Sequence, residues 1–165
     1  MTLSLRTRSV TATRRLGERI GRLLRAGDVV LLSGELGTGK TVLAQGIGAG
    51  LGVADPIKSS SFVIMNEYAG SDRTLYHADL YRLEDQEQVA ELALDEQASA
   101  GVLVVEWPER APDELPSEHL LVRLEYDGAR GRVIELEPRG GRYEEIMPLI
   151  MRRGRSAPPN TEGRV

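Results

Sequence analysis

Hydrophobic positions follow two rhythms along this chain, and each rhythm predicts an element. Thr2 to Arg8 alternates apolar and polar residues, the period of a half-buried strand. From Ser9 to Arg25, Leu16, Ile20, Leu23 and Leu24 recur at helical spacing, with Ser9 or Thr11 placed to cap the first turn. Ala26-Gly27-Asp28 breaks that run. Val29 to Leu32 is a compact apolar segment that reads as a buried strand and leads into a glycine-rich stretch. A helix is predicted from Lys40 to about Leu51, weakened by Gly46, Gly48 and Gly50. Phe62 to Tyr68 and Thr74 to Leu80 predict a hairpin around Ala69-Gly70-Ser71-Asp72. Glu84 to Ala100 reads as one or two helices with an acidic outer face. Val102 to Val105 is a four-residue apolar run ending in Glu106, the pattern of a buried parallel strand with an acid at its tip. Pro108, Pro112 and Pro116 mark a loop. His119 to Tyr126 and Arg132 to Glu137 predict a second hairpin around Asp127-Gly128, and Arg142 to Met151 a short final helix. Arg153 to Val165 has two prolines and few apolar residues and is expected to be a disordered tail. The chain shows no internal repeat. Residues 1–152 are therefore read as one domain and 153–165 as its tail.

Composition changes this picture mainly by exclusion. With 165 residues the chain is long enough to bury one core without covalent staples. The absence of cysteine removes disulfides, thiolate metal sites and a cysteine nucleophile. His77 and His119 are too few and too far apart to suggest a zinc site by themselves. No apolar run approaches the roughly 18 residues of a membrane span, and Met1 to Arg8 has no signal-peptide core, so a cytoplasmic protein without membrane association is expected. A net charge of −4 argues against a broad nucleic-acid surface. Lysine occurs only at Lys40 and Lys58, which makes the placement of Lys40 informative.

Lys40 ends the stretch Gly34-Glu35-Leu36-Gly37-Thr38-Gly39-Lys40-Thr41, which satisfies G-x-x-x-x-G-K-[ST] in full. Glycines let a backbone turn tightly and bring its N–H groups toward phosphate oxygens. The lysine supplies a point charge to the β- and γ-phosphates, and the Thr41 hydroxyl can ligate Mg²⁺. By this chain's own composition the pattern arises by chance about 0.002–0.003 times, so it is read as a nucleotide site and not as a bare glycine-rich turn. Neither lysine lies in the Asn-Lys-x-Asp motif that reads guanine, which favours ATP.

Such a site needs an acid on a neighbouring strand to hold Mg²⁺ directly or through water. Two candidates exist. Glu106 follows the better strand, and Asp79 follows Leu75-Tyr76-His77-Ala78 as a water-positioning residue or an outer ligand.

Three motifs in order and spacing resemble one family. Gly34 to Thr41, His77-x-Asp79-Leu80-Tyr81-Arg82-Leu83 and Val105-Glu106-Trp107-Pro108 look like those of the TsaE (YjeE-like) ATPases, over about Thr13 to Glu137. Those proteins take part in making the threonylcarbamoyl modification of adenosine beside the tRNA anticodon. The resemblance implies Lys40 on the phosphates, Thr41 and Glu106 on Mg²⁺, Asp79 in the catalytic region and Trp107 near the nucleotide. Trp107 could equally be a packing anchor. Thr13-Arg14-Arg15-Leu16-Gly17 looks like the family's adenine-side segment. His77 reads as a structural hydrogen-bonding residue, and Arg82 as a partner contact or a charge clamp.

There is one departure. Where the family has Ser-Pro-Thr-Phe or Tyr, this chain has Ser59-Ser60-Ser61-Phe62. Ser61 keeps a hydroxyl able to approach the γ-phosphate or a water, but without the stiffening proline a more mobile loop is expected. The fold expected is α/β: a P-loop NTPase core with a mainly parallel sheet, helices on both faces and antiparallel hairpins at the edges. The activity expected is Mg²⁺-dependent hydrolysis of ATP, slow alone and coupled to TsaB- and TsaD-like partners. A small P-loop kinase and a non-catalytic ATP sensor are the competing readings.

Overall fold

The computed structural model describes residues 1–59 and 64–152. Ser61, the Ser60 to Val63 stretch and the 153–165 tail lie outside them.

Seven strands form one sheet in the order β1-β7-β6-β2-β5-β4-β3. These are β1 (Leu3–Thr7), β2 (Val29–Gly34), β3 (Met65–Ala69), β4 (Thr74–Asp79), β5 (Val102–Glu106), β6 (His119–Asp127) and β7 (Gly131–Arg139). The centre is parallel: β6 with β2, β2 with β5, and β5 with β4. Antiparallel pairs flank it, with β3 on β4 at one side and β7 on β6, then β1 on β7, at the other. Both predicted hairpins are present. In the first, the described strand begins at Met65, later than Phe62.

The parallel centre explains the unbroken apolar runs. Every residue of β5 is buried, and alternate residues serve two cores, one on each face of the sheet. Val30 and Leu32 of β2 face helices α1 (Val10–Leu23), α2 (Lys40–Gly50) and α5 (Gly141–Met151). Val29 and Leu31 face the smaller helices α3 (Glu87–Ala90) and α4 (Leu94–Ala100). Helices thus cover both faces. The Glu84 to Ala100 segment splits into two helices where Ala93 takes a left-handed conformation, and the proline-rich loop holds two 3-10 turns, Pro108–Arg110 and Pro112–Glu114. Ser9 caps α1, its side chain accepting from the Ala12 amide at 3.1 Å.

The α2 glycines have a use that propensity hides. At Gly46 an added Cβ would run into the Arg14 carbonyl, and at Gly50 into the Glu18 carbonyl. Facing them, Gly17 and Gly21 of α1 press on the backbone of Leu43 and Ile47. The two helices meet backbone to backbone, and only glycine permits that approach. Gly48 is different: there a Cβ would strike the Ile57 side chain.

Candidate nucleotide and metal site

β2 delivers the loop and α2 leaves it, so the loop from Gly34 to Thr41 sits at the C-terminal edge of the parallel strands. Three of its glycines, Gly34, Gly37 and Gly39, have positive φ (153°, 81° and 106°), a backbone that side-chain-bearing residues avoid. All its carbonyls from Gly34 to Gly39 have partners. Lys40 Nζ donates to Gly34 O at 2.6 Å and to Glu35 O at 2.8 Å, and the Thr38 hydroxyl also donates to Glu35 O. Tyr126 takes Leu36 O at 2.5 Å, while Arg132 takes Gly37 O at 3.3 Å and Thr38 O at 2.9 Å. Gly39 O accepts from the Leu43 amide. The amides of Leu36, Gly37, Gly39 and Lys40, by contrast, take no protein partner among the described residues. Satisfied acceptors with free donors at a helix N-terminus make a concavity suited to an anion.

Lys40 is buried, 4% exposed, beneath the Trp107 ring, with Nζ 4.0 Å from the ring centroid. Burial lowers its pKa from the ordinary 10.5, opposed by the charges of Glu106, Glu109 and Asp79. Trp107 stacks on Tyr81 with centroids 4.9 Å apart, and Arg110 lies over the outer ring. Trp107 therefore both lines the cleft and packs against the α3–α4 core.

β4 and β5 run in register, setting Asp79 beside Glu106. Glu106 is 2% exposed, and each oxygen has one partner: Oε1 faces His77 Nε2 at 2.9 Å and Oε2 accepts from the Thr41 hydroxyl at 3.1 Å. A carboxylate only accepts, so Nε2 is the donating nitrogen of His77. Asp79 Oδ2 accepts from the Ser59 hydroxyl at 2.5 Å, and its Oδ1 from the Tyr81 amide at 3.0 Å. Thr41 and Ser59 approach within 3.3 Å. Either hydroxyl can donate across that gap, and these hard oxygen donors suit Mg²⁺. No cluster of three or more His, Asp or Glu able to hold a metal alone occurs among the described residues.

A cleft of about 610 Å³ gathers Leu36, Gly37, Gly39, Lys40, Thr41, Asp79, Glu106 and Trp107, and extends to Arg82, Glu84 and Gln88. Gly34, Glu35 and Thr38 line a separate cavity of about 380 Å³ beside β6. Thr13, placed on the adenine side by the family resemblance, does not line the cleft. It is 3% exposed in the first turn of α1, its hydroxyl bonded to Thr7 at 2.8 Å, and its methyl lies beneath Gly39. Tyr126 and Arg132 escaped the sequence reading because nothing links them to the loop along the chain.

The family model for threonylcarbamoyl adenosine biosynthesis protein TsaE matches residues 7–134. The tRNA threonylcarbamoyladenosine biosynthesis protein TsaE of Nostoc sp. is 43% identical over 77% of this chain and 80% of its own length. The protein of the same name from Bacillus subtilis is 34% identical over 91% and 94%. The crystal structure of Bacillus subtilis YdiB superposes with a TM-score of 0.77 at 32% identity, covering 91% of this chain and 94% of that one. Sequence, fold and the gathered loop and acids agree: the chain belongs to the TsaE family of threonylcarbamoyladenosine biosynthesis proteins.

Proposed function

We propose that this protein is an Mg²⁺-dependent ATPase that serves tRNA threonylcarbamoyladenosine formation in the cytoplasm, working with TsaB- and TsaD-like partners. The observation that carries the reading is the loop whose carbonyls from Gly34 to Gly39 are engaged while four amides remain free beside Lys40. Those amides and the α2 N-terminus bind phosphate oxygens, and Lys40 leaves its carbonyls to neutralise the β- and γ-phosphates. Thr41 and Glu106, joined by the Thr41 hydroxyl donating to Glu106, would hold Mg²⁺, which would supply neutralisation of the phosphate charge. Asp79, tied to Ser59, orients the attacking water. Catalysis is mainly positioning and charge stabilisation.

Lys40→Ala and Glu106→Ala are each expected to lower Mg²⁺-dependent ADP release by about 100-fold or more, with the circular dichroism spectrum retained. Normal turnover in either would refute the assignment. Trp107 is the only tryptophan, so its fluorescence reports nucleotide binding directly. The extension of the cleft to Arg82, Glu84 and Gln88 favours, as a second reading, phosphoryl transfer to an acceptor. Assaying the protein with and without TsaB and TsaD against a nucleoside panel separates the two. Free phosphate supports the ATPase; phosphorylated nucleoside without free phosphate supports the kinase; tight ATP binding with no turnover even with partners leaves a sensor.

A further inference from the structure

The loop from Gly34 to Gly39 gains flexibility from its glycines, yet its carbonyls are individually held. Two of the groups holding them belong to neither the loop nor α2. Tyr126, next to last in β6, and Arg132, second in β7, face each other across the strands, so both project from the same hairpin, 90 to 95 residues away in sequence. Between them they take three successive carbonyls: Leu36 by the Tyr126 hydroxyl, Gly37 and Thr38 by the two arms of the Arg132 guanidinium. Arg132 lies 4.7 Å from the Tyr126 ring and donates to Gly131 O at 2.7 Å, which fixes its fork.

A peptide plane carries its C=O and the following N–H in opposite directions. Holding Leu36 O and Thr38 O toward the hairpin therefore turns the Gly37 and Gly39 amides away from it, and both are among the free donors. At Gly37 a Cβ would stand 2.8 Å from the Tyr126 hydroxyl, so the fit is close as well as bonded. Tyr126 is 49% exposed and its hydroxyl serves no core.

We propose that Tyr126 and Arg132 are positioning residues for the phosphate loop: the β6–β7 hairpin holds three loop carbonyls outward and so sets the affinity for polyphosphate. This rests on the nucleotide-binding reading above. Tyr126→Phe removes one hydroxyl from an exposed site, Arg132→Gln removes the fork and its charge, and Arg132→Lys keeps the charge with a single point of donation.

Calorimetric titration of the wild type and the three variants with ADP and with inorganic tripolyphosphate, alongside thermal melts, tests the proposal. Affinity for both ligands is expected to fall together, about fivefold for Tyr126→Phe, the size of one hydrogen bond, and further for Arg132→Gln, with Arg132→Lys between. Melting temperatures should stay near that of the wild type. A loss confined to ADP, with tripolyphosphate unaffected, would mean that these residues touch the nucleoside and would overturn the proposal. So would unchanged affinity for both ligands. A wild type that binds neither ligand would remove the nucleotide reading itself, and this inference with it.

Discussion

Glu106 sits at the end of β5 with almost no exposure, one oxygen held by His77 and the other by Thr41. That division leaves it one way to face the loop. Removing the imidazole frees the carboxylate to rotate and leaves a buried oxygen without a partner, a cost of about 1–3 kcal/mol. His77→Phe is therefore expected to raise the Mg²⁺ concentration for half-maximal ADP release, and His77→Gln, which keeps an N–H donor, to restore it in part. A Mg²⁺ titration of each variant checks this; equal midpoints would show that the contact only stabilises the fold. What could be read of the site followed chain contiguity. Gly34 to Thr41 is a local pattern with a local purpose, and Asp79 and Glu106 each close a strand, so all were visible as residues. The bonds that give them geometry are not local. His77 meets Glu106 across parallel strands, and Tyr126 meets Leu36 across the sheet, contacts that no spacing records. Thr13 shows the reverse case, a residue placed by likeness whose hydroxyl the structure gives to Thr7.

Elements were legible where one face or both faces of a segment were consistently apolar. β5 and β2 announced themselves by unbroken runs, α1 by its spacing and its Ser9 cap. α2 stands where the spacing predicts it, Lys40–Gly50, although propensity counts its glycines as a loss while the partner helix is unseen. Here tertiary packing outweighs it. Gly21→Ala would drive a methyl into the Ile47 carbonyl, and Gly46→Ala one into that of Arg14. Each is expected to cost about 3 kcal/mol, roughly 6–12 °C in Tm, measured by thermal or urea unfolding. Gly27→Ala is the control: its φ of 98° is strained, but nothing lies within 4 Å of the added Cβ, so only about 1–2 kcal/mol should be lost. Equal losses at Gly21 and Gly27 would contradict the close helix contact.

For the whole molecule, α5 closes the core over β2. The Val29 amide donates to the buried Tyr143 hydroxyl at 2.8 Å, and Arg142 pairs with the buried Asp28 at 2.9 Å. Burial raises the Tyr143 pKa above its ordinary 10.0, although the Val29 bond works against the shift. The folded protein then keeps a proton that the unfolded chain releases. This stabilisation is complete below pH 10 and is lost as pH rises from there through the folded value. Lys40, with its pKa lowered from 10.5, acts in the opposite sense, its contribution improving as pH climbs toward 10.5. Tyr143→Phe should flatten the fall in stability above pH 10, at the expense of about 1 kcal/mol at neutral pH, as followed by urea unfolding across pH. An unchanged alkaline slope would show that Tyr143 is not its source.

Among the described residues no helix is long and apolar enough to cross a membrane. Motion in such a molecule is distributed unevenly. Because α1 and α2 touch backbone against backbone at Gly17, Gly21, Gly46 and Gly50, neither can slide or roll without collision. The wall of the cleft built on α2 is therefore braced by α1 as one unit. The opposite wall is built differently, from Tyr81, Arg82 and Glu84 on the connection after β4 and Gln88 in the four-residue α3, with no comparable backbone-to-backbone brace among the glycine contacts.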